Sequence, residues 1–160
     1  MKILVGMPAL DSLGGPTSSE PSFVDALRAK GLDIITDVYV YGEKTATTTF
    51  FSRILRVLRT GFRFRKLIRD HRPSLIFLNS AFDRRTILRD AASIFLMSPR
   101  DIKLFVKLHG GMAEDFNGTN YLFRWLIGYL RENVDGWGYH TREELGEFFK
   151  LGFDRPDFSL

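Results

Sequence analysis

The sequence predicts a doubly wound α/β domain, a Rossmann-like parallel sheet of at least five strands with helices on both faces. Three observations carry this. Apolar, strand-like stretches alternate with segments of helical periodicity along the chain, in the order βαβαβαβαβα. Each path from one strand to the next holds a helix-length segment, which parallel pairing needs and a hairpin does not. The run Leu75-Ile76-Phe77-Leu78 is apolar without alternation, as in a strand covered on both faces.

Each element follows from local chemistry. Ile3-Leu4-Val5-Gly6-Met7 is the first strand, Gly14-Gly15 turns the chain into a helix ending at Lys30-Gly31, and Asp33-Ile34-Ile35 returns parallel to it. Glycines between a strand and a helix leave backbone N–H groups, backed by the helix dipole, that can receive a phosphate. The same pair also suits a plain tight turn. Neither G-x-G-x-x-G nor G-x-x-x-x-G-K-[ST] occurs. Pro16 and Pro21 are expected to make this glycine loop long and stiff. Ile34 to Tyr41 is the second strand, rich in β-branched and aromatic residues, and a polar loop follows to Thr49.

Helical pattern runs from Phe51 to His71, with a change of phase. Phe51, Ile54, Leu55, Leu58 and Phe62 make one stripe; Phe64, Leu67, Ile68 and His71 make another, rotated from it. A break or kink is expected at Gly61, between them, and Pro73 stops the helix. Residues 84–97 read as a helix through Ile87, Leu88, Ala91, Ile94 and Phe95, closed by Pro99. Lys103 to Leu108 is the fourth strand, ending in His109-Gly110-Gly111. An aromatic helix from about Tyr121 to Glu132 precedes a short strand, Gly136 to Tyr139. Thr141-Arg142-Glu143-Glu144 is a capping box for the last helix, which carries Leu145, Phe148 and Phe149 and stops at Gly152.

A length of 160 residues suits one domain. With no cysteine, disulfides, zinc–thiolate sites and a cysteine nucleophile are excluded, and a reducing, cytoplasmic setting is expected. No run of about 18 apolar residues occurs, so a spanning helix is not expected. Met1-Lys2 leads straight into strand residues, and no cleaved signal peptide is read there.

The charge is unevenly placed. Residues 53–72 hold eight basic side chains against Asp70, a local charge of +7 in a chain of net +4, so the remainder is −3. Three readings stay open for Arg53, Arg56, Arg59, Arg63, Arg65 and Lys66. They are a solvated helix face, a peripheral docking face for the anionic inner surface of a membrane beside Phe50, Phe51 and Phe62, or a nucleic-acid contact. The last lacks a groove-reading motif or a stacking platform, and no nucleic-acid partner is expected.

In open parallel sheets, ligands bind outside the carboxyl ends of the strands. Leu10 to Thr17, Asn79 to Phe82, His109-Gly110-Gly111 and His140-Thr141 are predicted to converge there. An imidazole at a strand end can donate to an anionic oxygen or a sugar hydroxyl, and the glycines after it let a ligand approach the backbone; a solvated loop histidine is the plain alternative. Asp11, Glu114 and Asp115 fall in the same loops, as solvated acids or as bases toward an acceptor hydroxyl. There is no D-x-D triplet, no H-E-x-x-H, no G-x-S-x-G and no His/Asp set with metal spacing.

Taken in order, these segments resemble the N-terminal domain of GT-B glycosyltransferases of the group-1, or family-4, kind. Lys2-Ile3-Leu4-Val5 with Gly14-Gly15 is similar to the family's first strand and glycine loop. Leu27 to Ile34 is similar to its helix-end segment, and Arg72-Pro73-Ser74-Leu75-Ile76-Phe77-Leu78 to its Lys-Pro-Asp strand entry. Leu108-His109-Gly110-Gly111 resembles the fourth-strand His-Gly motif, and Tyr139 to Leu145 with Leu151-Gly152-Phe153 the segment that closes the domain.

The resemblance implies transfer of a sugar from a nucleotide-diphosphate donor to a glycan or lipid-linked acceptor in glycan or cell-envelope biosynthesis, with retention of configuration in most relatives. It implies His109 as the catalytic contact to the transferred sugar, Gly110 and Gly111 beside it, Gly14 and Gly15 toward diphosphate or acceptor, and Thr141 near the cleft unless it only caps its helix. It implies no metal and no cofactor, the nucleotide sugar being a co-substrate. His140 departs from the family's small or apolar residue, and the nucleotide-binding C-terminal domain has no counterpart in residues 1–160. The expectation is one Rossmann-like domain over 1–160, inactive alone and completed by a C-terminal domain in cis or in trans. The competing expectation is a non-catalytic α/β binding module recruited to a membrane surface or a partner subunit.

Overall fold

The computed structural model describes residues 1–9, 15–40, 49–99, 101–109, 116, 120–139 and 141–153. Their strands and helices alternate: β1 (Lys2–Pro8), α1 (Gly15–Ala29), β2 (Asp33–Val40), α2 (Phe50–His71), β3 (Leu75–Ser80), α3 (Arg84–Met97), β4 (Lys103–Leu108), α4 (Tyr121–Asn133), β5 (Gly136–Gly138) and α5 (Arg142–Lys150). The sheet has the order β2-β1-β3-β4-β5, and every pair is parallel. This is the predicted α/β Rossmann-like fold. The chain builds outward from β1 to β2, then crosses to β3 on the other side, so the strand order reverses between β1 and β3.

The two faces of the sheet bury different sets of side chains. On one, Ile3, Val5, Phe77 and Val24 of α1 make a small cluster, with Phe77 stacked on Phe105 at 5.3 Å between ring centroids. On the other, Leu4, Ile76, Leu78, Leu104, Val106 and Leu108 pack with residues of the later helices in the larger core. Successive strand residues point to opposite faces, so consecutive apolar residues in β3 and β4 serve both clusters. At the carboxyl end of the larger core, Phe82 lies at a left-handed φ of 49°. A bulky residue rarely adopts that conformation. It is held there by a hydrogen bond from its N–H to Ser80 Oγ (3.1 Å) and by edge contacts with Trp137, Phe148 and Phe153.

Two expectations are corrected. Pro16 and Pro21 do not extend a glycine loop: α1 begins at Gly15, Pro16 falls in its first turn, and Pro21 lies inside it. The first turn suits proline because its missing N–H has no intrahelical partner there. The break at Gly61 is also absent, since α2 runs unbroken from Phe50 to His71. The phase shift marks a change of surroundings instead. The second half buries Thr60, Gly61 and Phe64, whereas residues 50–59 contain no buried position.

Gly61 has a packing role. A Cβ there would meet Leu96 Cβ at 2.6 Å and Cδ1 at 2.8 Å, so the glycine is what lets α2 and α3 approach. Gly61→Ala gains about 1 kcal/mol of helix propensity but overpacks this contact, which costs about 1–3 kcal/mol. We expect a net loss of stability in urea unfolding; an unchanged or raised midpoint would show that the helices separate freely.

Candidate functional site

The carboxyl edge of the sheet carries a cluster of polar side chains built on the α1 face. Asn79 and Lys107 are register partners on β3 and β4, so their side chains leave the sheet on the same side. His109, two residues after Lys107, continues on that side, and its N–H extends the ladder to Ser80 O (2.8 Å). Below them the phenyl rings of Phe77, Phe105 and Phe23 form an apolar floor. Helix α1 brings Glu20 over this spot, where the carboxylate is fully buried.

The contacts fix the cluster's geometry. Lys107 Nζ donates to Glu20 Oε1 at 3.2 Å and lies 5.7 Å from the centre of the Phe23 ring. His109 Nε2 is 2.7 Å from Asn79 Oδ1 and 3.3 Å from Glu20 Oε1. Asn79 Nδ2 donates to Gly6 O at 3.2 Å, which assigns the amide orientation and leaves Oδ1 to face the imidazole. With two acceptors before it, Nε2 carries a hydrogen. Asn79 therefore spans β1 and β3 at the point where the strand order reverses, and it orients the ring of His109 on β4's end.

Burial by itself raises the Glu20 carboxyl. The His109 hydrogen bond and the Lys107 charge, with a contribution from Asn79, outweigh it and hold the group below its ordinary 4.5. Glu20 Oε2 has no hydrogen-bond partner among the described residues, although the residue is fully buried. A carboxylate with one satisfied and one unsatisfied oxygen can accept from a hydroxyl that reaches it. It also keeps two cationic or donating side chains at the rim.

A second buried network lies on the other face. Tyr39 Oη donates to Asp90 Oδ1 at 2.8 Å, and Arg89 Nε donates to the same oxygen at 2.7 Å. Burial first, and then the Asp90 charge, push the Tyr39 phenol well up, so it stays neutral. Arg89 also reaches Asn79 O at 3.4 Å. Asn79 thus joins the two networks, by its side chain on one face and its carbonyl on the other.

The predicted site residues divide clearly. His109 stands at the rim, and Gly15 is the first residue of α1 at the same edge, since a helix that follows a parallel strand begins where that strand ends. Thr141 caps α5, its Oγ1 accepting from Glu144 N at 3.1 Å. Phe82, placed with the ligand segments by sequence, is buried in the aromatic core. Gly14, Gly110, Gly111, His140, Asp11, Glu114 and Asp115 lie outside the described residues. Asn79, in a segment placed at the ligand end by sequence, stands beside His109 as expected of that segment, whereas Glu20 and Lys107 were not singled out from sequence. The signal was present in part: Phe77 to Asn79 and Phe105 to Lys107 to His109 turn from apolar to polar on one strand face at one end. Among the described residues, no group of three or more His, Asp or Glu side chains is placed to hold a metal ion. An open groove of about 570 Å³ lies at the opposite edge, by Ser98, Pro99, Lys103 and Asp135, away from this cluster.

No family model and no curated protein matches the sequence. Among solved structures, the chain is similar to a UDP-GlcNAc 2-epimerase from Methanocaldococcus jannaschii, with a TM-score of 0.60 and 12% identity. The match covers 96% of this chain and 43% of the epimerase, so this chain spans less than half of that protein's length. At this identity the likeness establishes the fold they share.

Removing the buried carboxylate leaves Lys107, whose side chain is 14% exposed, without its anion. Glu20→Ala is therefore expected to lower the unfolding free energy by about 3 kcal/mol near neutral pH. Because the folded-state value lies below 4.5, the ionised group's contribution is complete above that pH and disappears as pH falls through the folded value. Urea unfolding of both proteins across this range should show the gap between them closing with acid. A gap that does not change with pH would mean that the charge is not what Glu20 supplies.

Proposed function

We propose that this chain is the N-terminal, acceptor-side half of a glycosyltransferase that moves a sugar from a nucleotide-diphosphate donor to a glycan or lipid-linked acceptor. A nucleotide-binding domain, in cis or in trans, supplies the other half. The observation that carries this reading is the imidazole of His109 at the carboxyl edge, its Nε2 side fixed by Asn79 and Glu20 beside the β1/β3 crevice. The resemblance of the strand-end segments and the fold shared with a protein named for a UDP-sugar support it.

Transfer requires charge to build on the diphosphate and on the sugar as their bond breaks, and groups fixed beforehand stabilise that charge best. In this reading His109 contacts the transferred sugar. Gly110 and Gly111 offer close backbone approach, Gly14 and Gly15 lead to the diphosphate or acceptor, and Thr141 stands at the cleft while capping α5. The reading assigns no metal or cofactor to this half. It places the reaction in the cytoplasm and follows the resemblance in expecting retained configuration.

The name of the fold neighbour favours a second reading. The same rim would serve an enzyme that inverts one carbon of a sugar still attached to its nucleotide.

The test uses the intact gene product with labelled nucleotide sugars, following acceptor-dependent release of the nucleotide and isomerisation of the donor. Label passing to an acceptor supports transfer, and label returning in an isomeric donor supports epimerisation instead. His109→Ala should reduce turnover at least about a hundredfold with little change in melting temperature. If it lowers stability and turnover together, His109 is structural. If the intact protein processes no nucleotide sugar, a non-catalytic module is the right description.

A further inference from the structure

The first half of α2 is the part of the fold that its own packing does not explain. Residues 50–59, about 15 Å of helix, include no buried position. Phe51, Ile54, Leu55, Leu58 and Phe62 follow one another at spacings of three and four along one side. They are 81%, 42%, 47%, 38% and 55% exposed. Arg59, Arg65 and Lys66 are exposed and, at 100° per residue, border or intersperse this stripe. At the helix midpoint Arg63 is tied to β2, pairing with Asp37 Oδ2 at 2.6 Å and donating to Val38 O. That residue is engaged in holding α2 to the sheet.

We propose that this face of α2 docks on the surface of an anionic lipid bilayer, lying in the plane of the interface. The inference is independent of the proposed sugar chemistry. An apolar stripe with cations along it matches a surface that is apolar below and negative above. The charge of the whole chain favours one orientation, with +7 in residues 53–72 against −3 elsewhere. No helix among the described residues is long and apolar enough to cross a membrane, so the contact is with the surface.

Two other occupants fit less well. A second copy on this face, paired about a two-fold axis, would set one +7 segment against another. A nucleic-acid backbone would satisfy the arginines but leave the apolar stripe without a partner. The placement also has a consequence. A helix that follows a parallel strand begins at the sheet's carboxyl edge, so the exposed half of α2 lies on the side of the molecule that carries His109.

The test is co-sedimentation of this chain with vesicles of phosphatidylglycerol in phosphatidylcholine and with vesicles of phosphatidylcholine alone. Binding is expected to the anionic vesicles only and to weaken with salt. The triple variant Arg59→Glu, Arg65→Glu, Lys66→Glu should reduce partitioning at least about a hundredfold. Phe51→Ser with Phe62→Ser should reduce it as well, while circular dichroism and melting temperature stay near the parent's because both side chains are exposed. Absence of binding, or equal binding to neutral vesicles, overturns the proposal. So does a loss confined to the charge variant, which indicates simple electrostatic adsorption. A lipid-free dimer that the Phe variants dissociate assigns the face to a second copy and likewise overturns it.

Discussion

A buried carboxylate is tolerated only where enough donors surround it, and Glu20 sets that condition at the centre of this fold. Its charge is met by Lys107 and by the imidazole of His109, both delivered by one strand end. The arrangement requires α1, packed on β1 and β2, to hold one position along the sheet from which Glu20 reaches the ends of β3 and β4, because a shift of one turn would bury the anion without its partners. It also requires Asn79 to face β1, where its amide bonds Gly6 O. The crevice between β1 and β3 is thus closed by polar bonds where the apolar clusters end.

The same bonds give the site its directionality. Asn79 is held by β1 and in turn holds His109, and its carbonyl is reached from the opposite face by Arg89 of the Tyr39–Asp90 network. Side chains placed this way lose little further freedom when a ligand arrives, which is the condition for stabilising charge that appears only during reaction. The large groove at the other edge lacks such an arrangement: its Lys103–Asp135 pair closes β4 onto the start of β5. Volume and chemistry therefore point to opposite edges, and the carboxyl edge has the fixed polar groups.

Much of the fold was legible in the sequence because each crossover carries its own local signals. The helix at 84–97 and the strand at 103–108 emerge with the bounds that periodicity and Pro99 imply. Gly61 misled as a break because a glycine amid a phase change looks the same whether it interrupts a helix or admits a neighbour, and the contact with Leu96, distant in sequence, is what shows the second role. Pro16 misled for a related reason, since proline near a helix start is compatible with a loop and with a first turn, and Pro21 misled because it stands inside α1, where a proline ordinarily reads as a helix breaker. His109 was legible as a strand-end residue followed by glycines. Glu20 was not, because in sequence it is an ordinary acid in a polar stretch, and its burial depends on two strands that follow much later.

The central claim is that Glu20 and Asn79 fix the imidazole of His109 with Nε2 turned inward and bearing hydrogen. Nitrogen-15 NMR of the histidine ring, in its neutral form, tests this most directly. The account predicts that Nε2 is the protonated nitrogen of His109 and that Asn79→Ala or Glu20→Gln redistributes the tautomers. A ring protonated at Nδ1 in the parent protein, or unmoved by both substitutions, would contradict it.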